Sequence, residues 1–180
     1  MTPRLFTDRL CLRPPQLSDA GAMQLYASDP RVAMMTGSIP HPYPPGAAEV
    51  YLRNAARPHG ERRWAIDATP SGGAEFIGIV GYKQEVAEIG YWVGPPFWNT
   101  GYATEAVAAV IAHVFQTENI AAINAGFFVD NPASGAVLEK LGFRWIGTAT
   151  RFSVARGAEG ESRLGRLMRD DWAAQTADRA

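Results

Sequence analysis

The sequence is poor in the residues that build cross-links and metal centres. Its single cysteine, Cys11, excludes an internal disulfide. Cys11 lies in an apolar-patterned stretch, where a small buried residue is the expected role and a reactive thiol the alternative. The three histidines, His41, His59 and His113, lie far apart, and none pairs with the cysteine or with another histidine at ligand spacing. No metal site is expected. His113 falls in a long helical pattern and reads as a packing or surface residue. His41 sits among prolines, where a substrate contact is an open reading. No long apolar run is present and Asp8 comes early, so neither a membrane span nor a secretory signal is expected, and a cytoplasmic protein is the default. Charge of one sign is also missing. A formal net charge of −1 gives no bulk reason to expect a nucleic-acid partner. Neither G-x-x-x-x-G-K-S/T nor a G-x-G-x-x-G after a strand occurs, which argues against a P-loop NTPase and a standard dinucleotide fold.

What is present suffices for one domain over residues 1–180, with 47% hydrophobic and 19% charged residues and no repeat or linker. The chain is organised around Phe97-Trp98-Asn99-Thr100-Gly101-Tyr102-Ala103-Thr104-Glu105-Ala106. A glycine-bearing turn opens there into an amphipathic helix over 101–117, with Val107, Val110, Ile111, Val114 and Phe115 on one face. The first amides of a helix have no internal partner, and the macrodipole makes that end positive. Asn99 tolerates left-handed dihedrals, and Gly101 lets an anion approach the backbone. The turn is therefore a candidate phosphate cradle, although many strand–turn–helix units with a glycine bind nothing.

Other elements follow from pattern. Strands are expected over 8–13, 63–68, 75–83, 88–93, 121–129, 143–148 and 163–169. In the third of the central run, Glu88, Gly90 and Trp92 point one way and Ile89, Tyr91 and Val93 the other. A capped helix is expected after Ser18-Asp19, ended by Asp29-Pro30, and another over 47–57, broken by Pro58-His59-Gly60. A Pro/Gly-rich loop fills 36–46. Asp130-Asn131-Pro132 starts a further helix that stops at Gly142. The tail from Gln175 is expected to fray.

The order of these elements and several motifs resemble the GNAT superfamily of N-acetyltransferases, and within it the RimJ/RimL type, over most of the chain. The residues that carry the likeness are Thr7-Asp8-Arg9-Leu10-x-Leu12-Arg13, then Glu88 to Val93, then Trp98 to Ala106. Asn131-Pro132-Ala133-Ser134 and Leu138-Glu139-Lys140-Leu141-Gly142-Phe143 complete it. Trp98, Gly101 and Ala103 fill the places of that superfamily's cofactor turn, while Asn99 stands where the RimJ/RimL type often has glycine.

The resemblance implies an α/β (α+β) fold. A mixed, mostly antiparallel sheet of about six to seven strands would be flanked by helices, with two splayed parallel strands forming the cofactor cleft. It implies acetyl-CoA as cosubstrate and transfer of the acetyl group to a primary amine, a protein N-terminus or a small molecule, by direct attack in a ternary complex. A non-catalytic acyl-CoA-binding module is the alternative. The pyrophosphate would rest on amides of Asn99, Thr100, Gly101, Tyr102, Ala103 and Thr104 beside Trp98. Pantetheine would pair with the edge formed by Tyr91, Trp92 and Val93, whose amides include the candidate oxyanion donor, and Asn131 would anchor its arm.

Two side chains are candidates for the chemistry. Ser134 would donate to the leaving thiolate, or else merely support its helix start. Glu88 would take the amine proton, or else be a solvated strand-end carboxylate. Trp64, Tyr82, Trp92 and Tyr102 are aromatic residues that could wall an acceptor cleft or simply fill the core. Lys140 could meet coenzyme phosphates or be an ordinary surface lysine. A homodimer fits the resemblance.

Overall fold

Side-chain alternation sorts the central strands into two faces, and each face recruits its own helices. The protein is described by a computed structural model covering residues 2–55 and 60–177. Eight strands occur among the described residues: β1 (Leu5–Phe6), β2 (Cys11–Arg13), β3 (Glu61–Asp67), β4 (Gly78–Lys83), β5 (Glu88–Val93), β6 (Ala122–Phe128), β7 (Arg144–Ser153) and β8 (Ala158–Met168). They form one sheet in the order β1-β2-β3-β4-β5-β6-β8-β7, antiparallel except for β5 beside β6. The helices are α1 (Ala20–Ala27), α2 (Pro30–Ala33), α3 (Ala47–Ala55), α4 (Tyr102–Thr117), α5 (Pro132–Lys140) and α6 (Arg169–Ala177).

One face of the sheet presents Trp64, Ile66, Val80, Tyr82, Ile89, Ile123 and Ala125, and α4 and α5 cover it. The apolar stripe of α4, from Val107 to Phe115, is buried there as its spacing predicts. Burying each such side chain is worth roughly 1.5–3 kcal/mol, more than the helix gains from its own hydrogen bonding in water. The opposite face packs Ala65, Phe76 and Ile79 against Met23 of α1 and Ala48 and Leu52 of α3. On this face the register aligns Glu61, Lys83, Glu88 and Asn124 in one row and Arg63, Gly81 and Gly90 in the next. His113 packs edge-on to Trp64 on the α4 side. Cys11 is buried.

The β5–β6 pair is joined through α4, the long crossover that parallel strands require. Its pairing extends only over Glu88↔Asn124 and Ile89↔Ala125. Beyond Ile89 the strands part, and the rest of β5 keeps a free edge.

Several expectations are corrected. The sheet has eight strands rather than six to seven, because residues 5–13 fold as a hairpin, β1–β2, instead of one strand over 8–13. The Thr7 amide donates to the Leu10 carbonyl and the Leu10 amide to the Thr7 hydroxyl, which closes a turn there. Asp29-Pro30 starts α2 rather than only ending α1: the Asp29 carboxylate accepts from the Arg31 amide, with Pro30 in the first turn. The last two strands are longer than expected and form an outer hairpin. Most of β7 is exposed or half-exposed, so apolar alternation hides its length. The residues from Gln175 to Ala177 belong to α6, whose Trp172 packs on the core and whose Gln175 amide donates to the Lys140 carbonyl. The end of the 47–57 helix, with Arg57, Pro58 and His59, and the last residues of the tail lie outside the described residues.

Candidate active site

The turn before α4 has the conformation its residues favour. Asn99 and Gly101 have φ of +59° and +83°. A β-carbon is costly at such angles, least so for asparagine. The first intrahelical bond runs from the Glu105 amide to the Gly101 carbonyl at 3.1 Å. The amides of Tyr102, Ala103 and Thr104 therefore have no partner within the helix. Those of Asn99, Thr100 and Gly101 meet no acceptor among the described residues. The Thr100 hydroxyl is turned inward, donating to the Phe97 carbonyl at 2.6 Å. Orphaned donors at the positive end of a 16-residue helix fit a diphosphate. Lys140, at the end of α5, lines the same slot, a cavity of about 610 Å³.

The turn is pinned from the N-terminal hairpin, a contact that sequence reasoning missed. Glu105, in the first turn of α4, accepts from the Thr7 hydroxyl (2.6 Å), the Arg9 amide (3.0 Å) and Arg9 Nε (2.7 Å). Arg9 Nη1 donates to the Thr100 carbonyl at 3.0 Å, and its guanidinium lies over the Tyr102 ring. Burial pushes the Glu105 carboxyl up, but the Thr7 and Arg9 hydrogen bonds together outweigh it and hold the group below its ordinary range. The charge balance follows: Glu105 would repel a diphosphate, and Arg9 neutralises it. Thr7-Asp8-Arg9 carries part of the family likeness, but its distance in sequence from Glu105 gives no signal of this contact. Arg13, from the same motif, does a different job. It is buried, pairs with Asp19 at 2.7 Å and Asp67 at 3.1 Å, and ties the approach to α1 to β3.

The free edge of β5 is defined by alternation. The Gly94 amide bonds the Ile77 carbonyl at 2.7 Å, so the backbone groups of Trp92 and Gly90 also face β4, while those of Tyr91 and Val93 face the gap. Trp98 Nε1 donates to the Val93 carbonyl at 2.6 Å, consistent with that direction and fixing the end of β5 against the turn. The edge thus offers the Tyr91 amide and carbonyl and the Val93 amide. Trp92 cannot offer its amide here; its side chain packs edge-on to Phe76 and lines both the slot and the neighbouring cavity.

Ser134 stands across the gap on α5. Its backbone amide donates to Asn131 Oδ1 at 3.3 Å, so Asn131 caps the helix. Its hydroxyl does not turn back to the cap but lies 2.9 Å from the Tyr91 hydroxyl, which also donates to the Ser134 carbonyl at 3.0 Å. Burial, opposed only by the Ser134 hydrogen bond, pushes the Tyr91 phenol up to about 12. Tyr91 therefore keeps its proton at any working pH. It was expected to contribute only main chain; its side-chain pairing with Ser134 depends on how α5 docks.

Glu88 lies on the other face, in a cavity of about 1190 Å³ that also reaches Tyr91, Asn131 and Ser134. It is not a solvated strand-end carboxylate. Arg151 of β7 grips it in a fork, Nη1 to Oε1 at 2.9 Å and Nη2 to Oε2 at 2.8 Å. The guanidinium lies over Gly126, where a β-carbon would come within 3.1 Å of it. Of the four aromatic candidates, Trp92 lines this cavity and Tyr102 the slot, whereas Trp64 and Tyr82 are core.

The slot is built from main-chain donors, opens where two parallel strands separate and leads into a second cavity, an arrangement that suits a phosphate-bearing cosubstrate and a second substrate meeting at the gap. Residues 9–144 match the model of the acetyltransferase (GNAT) domain, and the chain belongs to that family. It is an acetyl-CoA-dependent N-acetyltransferase. It is 32% identical over 166 residues to the uncharacterized N-acetyltransferase YoaA of Bacillus subtilis (strain 168), covering 87% of this chain and 92% of that one. It is 27% identical to the ribosomal protein uS5-alanine N-acetyltransferase of Escherichia coli (strain K12), covering 94% and 92%. The fold is shared with Mycobacterium smegmatis RimJ solved with a CoA-disulfide, at a TM-score of 0.77 and 22% identity, covering 94% of this chain and 87% of that one. No helix among the described residues is long and apolar enough to cross a membrane.

Proposed function

We propose that the chain acetylates a primary amine by direct attack in a ternary complex, with the acceptor entering from the Glu88 side. One observation carries this reading: the Ser134–Tyr91 hydroxyl pair and the Glu88 carboxylate open into one cavity from opposite faces of the sheet. Acetyl-CoA supplies the acetyl group as a thioester. The amides from Asn99 to Thr104 hold its diphosphate, and the Tyr91–Val93 edge with Asn131 aligns its pantetheine. The Tyr91 or Val93 amide faces the gap and donates to the carbonyl oxygen as negative charge develops there. The Ser134 hydroxyl donates to the departing sulfur, and Tyr91 backs it by turning its single proton from the Ser134 carbonyl to Ser134 Oγ.

Glu88 draws the amine in and takes its proton, directly or through water. A carboxylate has about four lone-pair sites, and Arg151 engages two. The relative named for acetylating an alanine of ribosomal protein uS5 supports a peptide N-terminus among the possible acceptors.

The test is release of free CoA thiol over a panel of peptide N-termini and small amines, with the product read by mass. A gain of one acetyl on nitrogen is expected. Binding of acetyl-CoA without turnover on any amine would leave only a coenzyme-binding module. An unchanged pH–rate profile in Glu88→Gln would remove Glu88 from proton transfer.

A further inference from the structure

The acceptor cavity and the whole chain differ in charge. The chain carries a formal net charge of −1. The cavity is lined by the cations Arg53, Arg63, Lys83 and Arg151 and by only two carboxylates, Glu61 and Glu88. Both carboxylates are held by arginine, Glu61 by Arg63 at 2.5 Å and Glu88 by Arg151 at 2.8 Å. The register sets Lys83 between Glu61 and Glu88, yet each carboxylate turns to its arginine instead. Neither Lys83 nor Arg53 has an ion-pair partner among the described residues.

The floor beside Lys83 is open. A β-carbon on Gly90 would meet nothing within 4 Å, so the space over Gly90 beside Glu88 is open, whereas the Glu61 carboxylate covers Gly81, 2.8 Å from where a β-carbon would stand there. A second polar group waits in the same cavity. Ser162 is 1% exposed, and its hydroxyl has no hydrogen-bond partner among the described residues. A buried hydroxyl left unmatched is costly, so it calls for a polar partner.

We infer that the acceptor is an amine bearing a carboxylate, with the amine at Glu88 and the carboxylate against Lys83 over Gly90. Lys83 and Glu88 are direct cross-strand neighbours on one face, so a ligand's amine and its carboxylate can engage the two side by side. Four cations against two arginine-paired carboxylates favour an anion over a polycation at this cavity, with Lys83 and Arg53 at its exposed rim. A polyamine is therefore a poor acceptor and an acidic peptide N-terminus or amino acid a good one. This inference rests on the acyl-transfer reading above.

The test is calorimetric titration of the CoA-loaded protein with Ala-Asp-amide, Ala-Asn-amide, Ala-Asn with a free C-terminus, Ala-Lys-amide and spermidine. One of the two carboxylate ligands should bind at least ~10-fold more tightly than Ala-Asn-amide. Which one does so tells a side-chain carboxylate from a terminal one. Lys83→Met should reduce the preference to about twofold or less. Lys83 is exposed, and acetyl-CoA affinity serves as the check that the variant folds. Equal binding of all ligands, no binding, or preference for Ala-Lys-amide or spermidine overturns the inference whether or not turnover occurs. A carboxylate preference without acetyl transfer to any ligand leaves this inference standing and overturns the transfer reading instead.

Discussion

The two cavities meet at Tyr91, Asn131 and Ser134 but are built in opposite ways. The coenzyme slot is made of main chain: amides of one turn and one helix end, and the edge of one strand. The acceptor cavity is lined from β3, β4, β5, β6, β7, β8 and α3 and from the Pro/Gly-rich loop over 36–46. Main-chain donors depend on local dihedrals, so they can be altered only by changing conformation. Side-chain groups can be removed one at a time. This contrast says where each substitution should act.

The junction of the two cavities should show the largest effect. Ser134→Ala and Tyr91→Phe are expected to lower kcat by ~10²–10⁴-fold if they supply the proton, with acetyl-CoA affinity changed only a few-fold. Steady-state kinetics beside calorimetry separates the two quantities, and equal losses in both would reduce the hydroxyls to coenzyme anchors. Next comes the slot itself. Gly101→Val places a branched side chain at φ +83°, where its β-carbon would lie 3.3 Å from Arg9 Nη2. Acetyl-CoA affinity should fall about 5- to 30-fold, from a left-handed strain of roughly 1–2 kcal/mol.

Arg9→Ala should weaken acetyl-CoA about 10-fold by baring the Glu105 carboxylate at the helix end. Arg9→Ala with Glu105→Gln should recover part of that loss. In the acceptor cavity, Arg151→Met should raise the acceptor KM several-fold, by roughly 1 kcal/mol, and leave acetyl-CoA affinity unchanged. A change in coenzyme affinity there would break the proposed division of labour.

The smallest effect is a pH dependence of the slot. Glu105 is held below its ordinary value, so its contribution to stability is fully present above the unfolded value of 4.5. It is lost as pH falls through the lower folded value. Glu105→Gln should flatten the acid limb of an unfolding profile in that window. Tyr91, raised to about 12, should add no feature to a pH–rate profile in the neutral range.

How much of this could be read beforehand follows the same division. The turn at Asn99–Gly101, the stripe of α4, the cap at Asn131 and the two-faced β5 each rest on contacts within a few residues, and all were legible. The role of Arg9 was not, because its partner Glu105 is 96 positions away. The Glu88–Arg151 fork spans 63 positions and depends on β7 folding back beside β8. The exposed pattern of β7 gave no periodic signal from which its register could be derived. Whole-chain charge was an equally poor guide, because an average near zero hides a cavity rich in cations.

The order of strands and helices, the unpaired amides at one helix start and the opposite faces of Glu88 and Tyr91 were determined by the sequence itself, since backbone geometry and side-chain period act over a few residues. The tertiary structure alone decided which hydroxyl meets Ser134, which arginine holds Glu88 and which cation steadies the phosphate turn. Those partnerships join residues whose proximity exists only after the sheet and helices have packed.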